Sequence, residues 1–273
     1  MISQSMKNKW ILVLKTMPVV GLSVGLRYLV TEMSGFNLTL KFSDLAPILT
    51  GASIILGLML TGVITDYKEA EKLPAVVARA LNDLDGLSRR GLHRIGEAAD
   101  WSHVRVLALT ETVNDWLSLR ASNEELWVAH SDMGEMILDL DKKGVPDYYL
   151  HRLLRINSDF GAALWRIQVI RDTDFIPAGY ALMELLVGGV VLALSVVQFS
   201  SATVGYCLSA GLAMIYSYLV FLAKDIDDPF EHGANDGKGS AADVDLTPFH
   251  TVRTKLNRAH DVRVAEKAAN GQN

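Results

Sequence analysis

Charged side chains are missing from three stretches of the chain, and these gaps set its organisation. From Leu45 to Thr65 the sequence reads LAPILTGASIILGLMLTGVIT, with no charge. Roughly 20 residues at helical rise cover a hydrocarbon core of about 30 Å. From Phe175 to Ala223 the single charged residue is Glu184. That stretch is interrupted between Gln198 and Ala202, so it predicts two spans, 176–197 and 203–223. No polar face recurs at helical period within these runs, which separates them from core helices of a water-soluble domain.

A further span is predicted over 10–31. Lys15 and Arg27 interrupt it, but both lie towards its ends, where long basic side chains snorkel to the interface. Trp10 suits an interfacial anchor. A cleaved signal peptide would also open with basic residues and an apolar run. No small-residue cleavage site follows here, and Arg27 stands where that site would fall.

Residues 68–173 carry helical periodicity instead. Leu73, Val76, Val77, Ala80, Leu81, Leu84 and Leu87 recur at i, i+3, i+4 and i+7 spacing. Val104, Leu107, Leu109, Val113, Trp116 and Leu117 form a second run. Leu150, Leu153 and Leu154, with Trp165 and Ile167, form a third, and Gly144 and Pro146 punctuate its start. No strand pattern is visible. Trp101, Trp116, Trp127 and Trp165 are expected in the core. Beyond Ala223 the Gly, Asp, Asn and Ser content predicts extended chain and turns, then a short helix over 247–259 and a disordered end. The chain thus divides into 1–66 with two spans, 67–174 outside the membrane, 175–223 with two more spans, and a tail over 224–273.

Basic residues orient these spans. Lys7 and Lys9 precede the first, Lys68, Lys72, Arg79, Arg89 and Arg90 follow the second, Arg155, Arg166 and Arg171 precede the third, and Lys224 follows the fourth. The two opposite loops hold only Lys41. Both termini and the middle region are therefore expected in the cytoplasm, in a plasma or bacterial inner membrane.

Composition agrees with this reading. Half of the 273 residues are hydrophobic and 21% are charged, and the mean hydropathy is +0.22. A net charge of −5 argues against nucleic acid as a partner. Cys207 is the lone cysteine, so neither a disulfide framework nor a CxxC site can form. The seven histidines are scattered, and no HExxH, GxSxG, P-loop or dinucleotide motif occurs. Neither enzyme activity nor a cofactor is expected. Glu184 is the one acid within a span, and such a residue marks a functional candidate by default. It is also placed to pair with Arg27 or to reach the interface. Gly21 and Gly25, with Gly51, Gly57 and Gly62, suit close helix packing.

Two spans, a large helical insertion, two more spans and a tail make a layout that resembles the bestrophin family of pentameric ion channels. Four local motifs carry the resemblance. Ser53-Ile54-Ile55-Leu56-Gly57-Leu58 is similar to the bestrophin neck, and Leu73-Pro74 to the Leu-Pro that follows it. Ile176-Pro177-Ala178-Gly179-Tyr180 resembles the Ile-Pro-x-x-Tyr that opens the third span. Ile226-Asp227-Asp228-Pro229-Phe230 resembles the Ile-Glu-Asp-Pro-Phe after the last span, and Asp245-Leu246 fits the bacterial pattern. The chain departs from the family in having Thr65-Asp66-Tyr67 where an Arg-Trp-Trp run is usual, and in an aliphatic neck. The acidic run that clasps calcium in animal members is broken at Glu231-His232-Gly233. Asp225, Asp227 and Asp228 are weak calcium candidates, and a solvated turn is the expectation, because calcium takes six to eight oxygens.

The resemblance implies an all-α membrane protein that assembles as a homopentamer in the lipid bilayer and passes monovalent ions, chloride or another anion first. Thr50, Ile54 and Leu58 lie four apart on one helical stripe. Repeated about an axis, they make rings that close a pore by dewetting, and a small rotation would bring Gly51 and Ser53 to the axis instead. Spacing from Pro146 points to Asp147 or Tyr148 as a second, cytoplasmic constriction. A ring of Asp147 carboxylates would admit cations. Two rivals differ in class. One is a non-conducting scaffold that docks a cytoplasmic partner. The other is a secondary transporter that uses Glu184.

Overall fold

A computed structural model of the chain describes residues 2–33, 40–173, 177–227, 229–230 and 243–270. Each uncharged run becomes a helix. α1 covers Ile2–Tyr28 and passes into a π-helical turn at Leu29–Met33. α2 covers Phe42–Ala70, α7 Pro177–Val196 and α8 Ala202–Asp227. All four are long and apolar enough to cross a membrane. Two short strands, β1 at Leu40–Lys41 and β2 at Val197–Gln198, pair in parallel. A two-residue pairing leaves no periodicity to read in the sequence, and it lies outside residues 68–173, for which no strand pattern is expected.

The chain divides into two units, one of which comprises Met1–Tyr67 and Asp174–Pro229. Its core joins Leu45, Leu49, Ala52 and Leu56 of α2 to Met183, Val190 and Leu194 of α7 and to Ala213 and Tyr216 of α8. The outward faces are equally apolar: Leu14, Leu22, Leu58, Leu185, Leu192 and Ile215 are exposed. Such a surface suits lipid, since a water-soluble monomer rarely shows apolar patches this wide. Buried hydroxyls return their protons to the backbone: Thr16 to Val13 O at 2.7 Å, Ser195 to Leu192 O at 2.6 Å and Ser217 to Ala213 O at 2.6 Å.

Arg27 does not snorkel. Its side chain is turned inward and it is 4% exposed. Nη1 donates to Leu194 O at 2.9 Å and to Val197 O at 3.2 Å. These carbonyls close α7, whose last turn has no helical N–H to accept from. The guanidinium lies 4.6 Å from the Phe199 ring centre and 5.7 Å from that of Tyr206. Gly205 makes this possible, because a Cβ there would collide with the guanidinium. The glycines expected to mediate packing do not do so within the chain: a Cβ on Gly21, Gly25, Gly51 or Gly57 would meet nothing within 4 Å. Gly62 is likewise exposed.

The second unit comprises Lys68–Thr173, Phe230 and Asp243–Asn273. It holds α3 Leu73–Arg94, α4 Asp100–Leu117, α5 Asn123–Lys142, α6 Asp147–Asp172 and α9 Thr247–Asn270. Pro74 stands in the first turn of α3, where its missing N–H costs nothing. Ser122 and Glu125 form a capping box on α5, Ser122 N–H donating to Oε2 at 2.7 Å. Gly144 (φ +82°) takes the left-handed conformation that ends α5. The stripe on α3 is buried as expected except for Val76, and Val104 and Leu154 also face out.

Two expectations need correction in this unit. Trp116 is fully buried, but Trp165 is 57% exposed and Trp101 and Trp127 are half-buried. Trp165 packs edge-on to Trp127 with ring centres 5.1 Å apart. The tail is also more structured than its composition predicts. Phe230, Val244, Leu246 and Phe249 are buried, and α9 continues past 259 to Asn270. Specific contacts hold this helix. Leu256 is buried, Arg253 Nε and Nη2 fork onto Glu111 at 2.9 and 2.6 Å, Asn257 Nδ2 adds 2.8 Å, and Lys267 meets Asp100 at 2.7 Å.

Arg27→Leu is expected to lower stability by about 2 kcal/mol or more, the loss of hydrogen bonds from a charged donor. Gly205→Ala, which displaces the same guanidinium, is expected to cost about 1–3 kcal/mol. Thermal unfolding in detergent measures both, and wild-type midpoints for either would refute the capping role.

The Arg253 guanidinium holds the Glu111 carboxyl below its ordinary value of 4.5. A lowered folded-state pKa means stability that is complete above the unfolded value and lost as pH falls through the folded one. Glu111→Gln should therefore lower stability by up to about 1 kcal/mol near pH 7. Unfolding curves of wild type and variant should converge once the pH is well below 4.5. Curves that stay apart in acid would contradict this.

Candidate functional site

The buried face of α2 is built from Leu45, Leu49, Ala52, Leu56 and Val63. At 100° per residue these positions cluster on one side of the helix. Thr50, Ile54 and Leu58 fall on the opposite side, joined there by Thr61 and Thr65, and all five are exposed. Ile54 is 58% and Leu58 69% exposed. The three hydroxyls do not present free protons. Thr50 donates to Ala46 O at 2.9 Å, Thr61 to Gly57 O at 2.8 Å and Thr65 to Thr61 O at 2.8 Å. The face therefore offers methyl groups and hydroxyl lone pairs, with two large aliphatic side chains between threonines.

This face is held in register. Tyr216 of α8 donates its hydroxyl to Leu49 O at 2.8 Å. With that proton committed, the Ser53 hydroxyl donates to the Tyr216 oxygen at 2.6 Å. Sequence reasoning assigned Ser53 to the neck motif and missed its partner, because nothing local links residues 53 and 216.

Asp147 and Tyr148 open α6 directly after Pro146, and both are exposed. Tyr148 stacks on Tyr149 with ring centres 4.3 Å apart. It also lines a groove of about 810 Å³ between α3 and α6, with Arg79, Arg152 and Arg155 beside Asp83 and Asp159.

Glu184 does not meet Arg27. It pairs with Lys224 of α8, and both side chains are substantially exposed. Asp225 and Asp227 lie on the last turn of α8, each with an interaction partner of its own. Asp228, Ile176 and the Glu231-His232-Gly233 segment lie outside the described residues. Among the described residues no three His, Cys, Asp or Glu side chains stand together to hold a metal ion.

Solved structures share this architecture. A bacterial bestrophin homolog from Klebsiella pneumoniae, in a form with one substitution, superposes with a TM-score of 0.69 at 16% identity, over 90% of this chain and 99% of that one. Another structure of a bestrophin homolog from that organism gives 0.68 at 16% identity, covering 91% and 98%. The chain has the bestrophin fold. No sequence-family model matches it, and no curated protein does. The bestrophin fold and the four apolar helices make it an all-α integral membrane protein.

Because the Glu184–Lys224 pair is exposed, Glu184→Gln is expected to keep the fold and change stability by no more than about 1 kcal/mol. Thermal unfolding in detergent tests this; collapse of the fold would assign Glu184 a structural role it lacks here.

Proposed function

We propose that copies of this chain form a ring, pentameric by its bestrophin fold, and conduct ions passively along the axis. The neck is the α2 stripe of Thr50, Ile54 and Leu58. One observation carries this reading: α2 seats one apolar face on α7 and α8 and leaves a second apolar stripe, opposite to it, without cover in the chain. Collars of Ile54 and Leu58 would exclude water from a narrow pore and form its gate. Asp147 and Tyr148 supply the second constriction. The bestrophin fold favours chloride or another anion, and the Asp147 carboxylates add cation permeability. The termini and residues 68–173 face the cytoplasm, by the distribution of basic residues. No catalytic group is needed, so the protein is not an enzyme. The transporter reading loses its support with Glu184 paired to Lys224 at the end of α8.

Purified protein in planar bilayers is expected to carry current. Ile54→Ala and Leu58→Ala, which widen the collars, should raise it severalfold with the fold intact. Reversal potentials in asymmetric salt should move towards chloride in Asp147→Asn. Wild-type currents in both neck variants would mean that the stripe faces lipid. End-on particle images without rotational symmetry would overturn the ring itself.

A further inference from the structure

Basic side chains of the second unit generally find carboxylates. Arg253 forks onto Glu111, Arg166 onto Glu69 and Arg120 onto Asp115, and Arg105 meets Asp139. One groove gathers four basic side chains at once. A groove of about 630 Å³ between α3 and α9 is lined by Arg89, Lys255, Arg258 and Arg263, with Glu266 as the single carboxylate. Lys255 donates to the neutral Asn82 side chain at 2.7 Å. Arg258 has no carboxylate partner among the described residues and is exposed. Arg89 has a long ion pair, its Nη1 lying 3.6 Å from Asp85 Oδ2, while His103 occupies the other oxygen of that carboxylate at 2.6 Å. Arg263 Nη1 and Arg89 Nε are buried with no acceptor.

Four cations gathered in one groove repel one another, and a bound anion relieves that repulsion. Guanidinium groups match phosphate oxygens in pairs, and the ammonium of Lys255 adds a point charge. Thr251 and Thr254 donate their hydroxyl protons to Thr247 O and His250 O, so the cations carry the recognition. The volume is that of a small-molecule site and exceeds what one inorganic phosphate fills. Ala259 and Val262 give it an apolar wall. The larger groove beside Tyr148 differs, since Asp83 and Asp159 offset its arginines.

We propose that the groove between α3 and α9 binds a multiply charged, phosphate-bearing anion through Arg89, Lys255, Arg258 and Arg263. The bound anion bridges the two helices and fastens α9. This inference is independent of ion conduction, and its test reads binding alone.

Full-length protein in neutral detergent is titrated with tripolyphosphate by calorimetry. Saturable binding is expected, weakening as sodium chloride is raised, with an upward shift of the melting temperature. Arg258→Gln/Arg263→Gln should weaken it about tenfold or more, the loss of hydrogen bonds from charged donors. Lys255→Gln/Arg258→Gln removes two exposed side chains and gives the same direction if Arg263 proves essential to folding. Arg155→Gln, in the other groove, should bind as wild type does. Reconstitution into phosphatidylcholine vesicles with or without an anionic phospholipid separates the sources. Loss of tripolyphosphate binding only with the anionic lipid identifies a headgroup, and unchanged binding identifies a soluble ligand. Absence of saturable binding in every arm, or wild-type affinity in both double variants, overturns the proposal.

Discussion

A helix that ends at the edge of hydrocarbon leaves carbonyls with no water to accept from, and this constraint organises the membrane unit. At the end of α7 the donor is Arg27 of α1. Its positive charge sits at the negative end of the α7 dipole, beneath the rings of Phe199 and Tyr206. Val197, whose carbonyl it grips, also pairs with Leu40 in the strand contact that leads into α2. One locus thus ties α1 to α7, fixes where α2 begins, and draws in α8 through Gly205. With the start of α2 set there, its Leu45–Leu49–Ala52–Leu56 face lies on α7 and α8, and the opposite stripe is left outward.

The spans were legible because charge is excluded from hydrocarbon whatever the tertiary detail. The role of Arg27 was not, since a snorkelling arginine and a carbonyl-capping one look alike in sequence. Its partners are backbone atoms, which carry no residue signature. Glu184 posed a related problem: the sequence pointed to Arg27 or to the interface, and only the packing of α7 on α8 brings Lys224 to it. That Thr50, Ile54 and Leu58 share one exposed stripe could be read from spacing alone, because a helix with one buried face has a geometrically fixed opposite face; its reading as a neck comes from the resemblance.

The tail misled for another reason. α9 is polar almost all round, so no apolar stripe announces it. It is held by a few long-range contacts, chiefly Phe249 and Leu256 in the core and Arg253 with Asn257 on Glu111. Its half beyond 259, where Lys267 pairs with Asp100, carries no apolar stripe and is invisible to periodicity. Trp165 shows the converse: it falls within an apolar run yet lies against the Trp127 ring with most of its surface outside the core.

The Ser53–Tyr216–Leu49 chain of hydrogen bonds bears on how a neck built from α2 would open. Turning the helix to bring Ser53 to the axis in place of Ile54 and Leu58 would carry Ser53 and the Leu49 carbonyl away from Tyr216 and leave the hydroxyl of that buried residue without its partners. Each hydrogen bond lost in such surroundings costs about 1 kcal/mol or more, in every copy that turns. Changes of side-chain rotamer at Ile54 and Leu58 leave those bonds intact, and both side chains have open space to move in. Under the channel reading, the rigid part of α2 is therefore its seat on α7 and α8, and the adjustable part is the width of its two aliphatic collars.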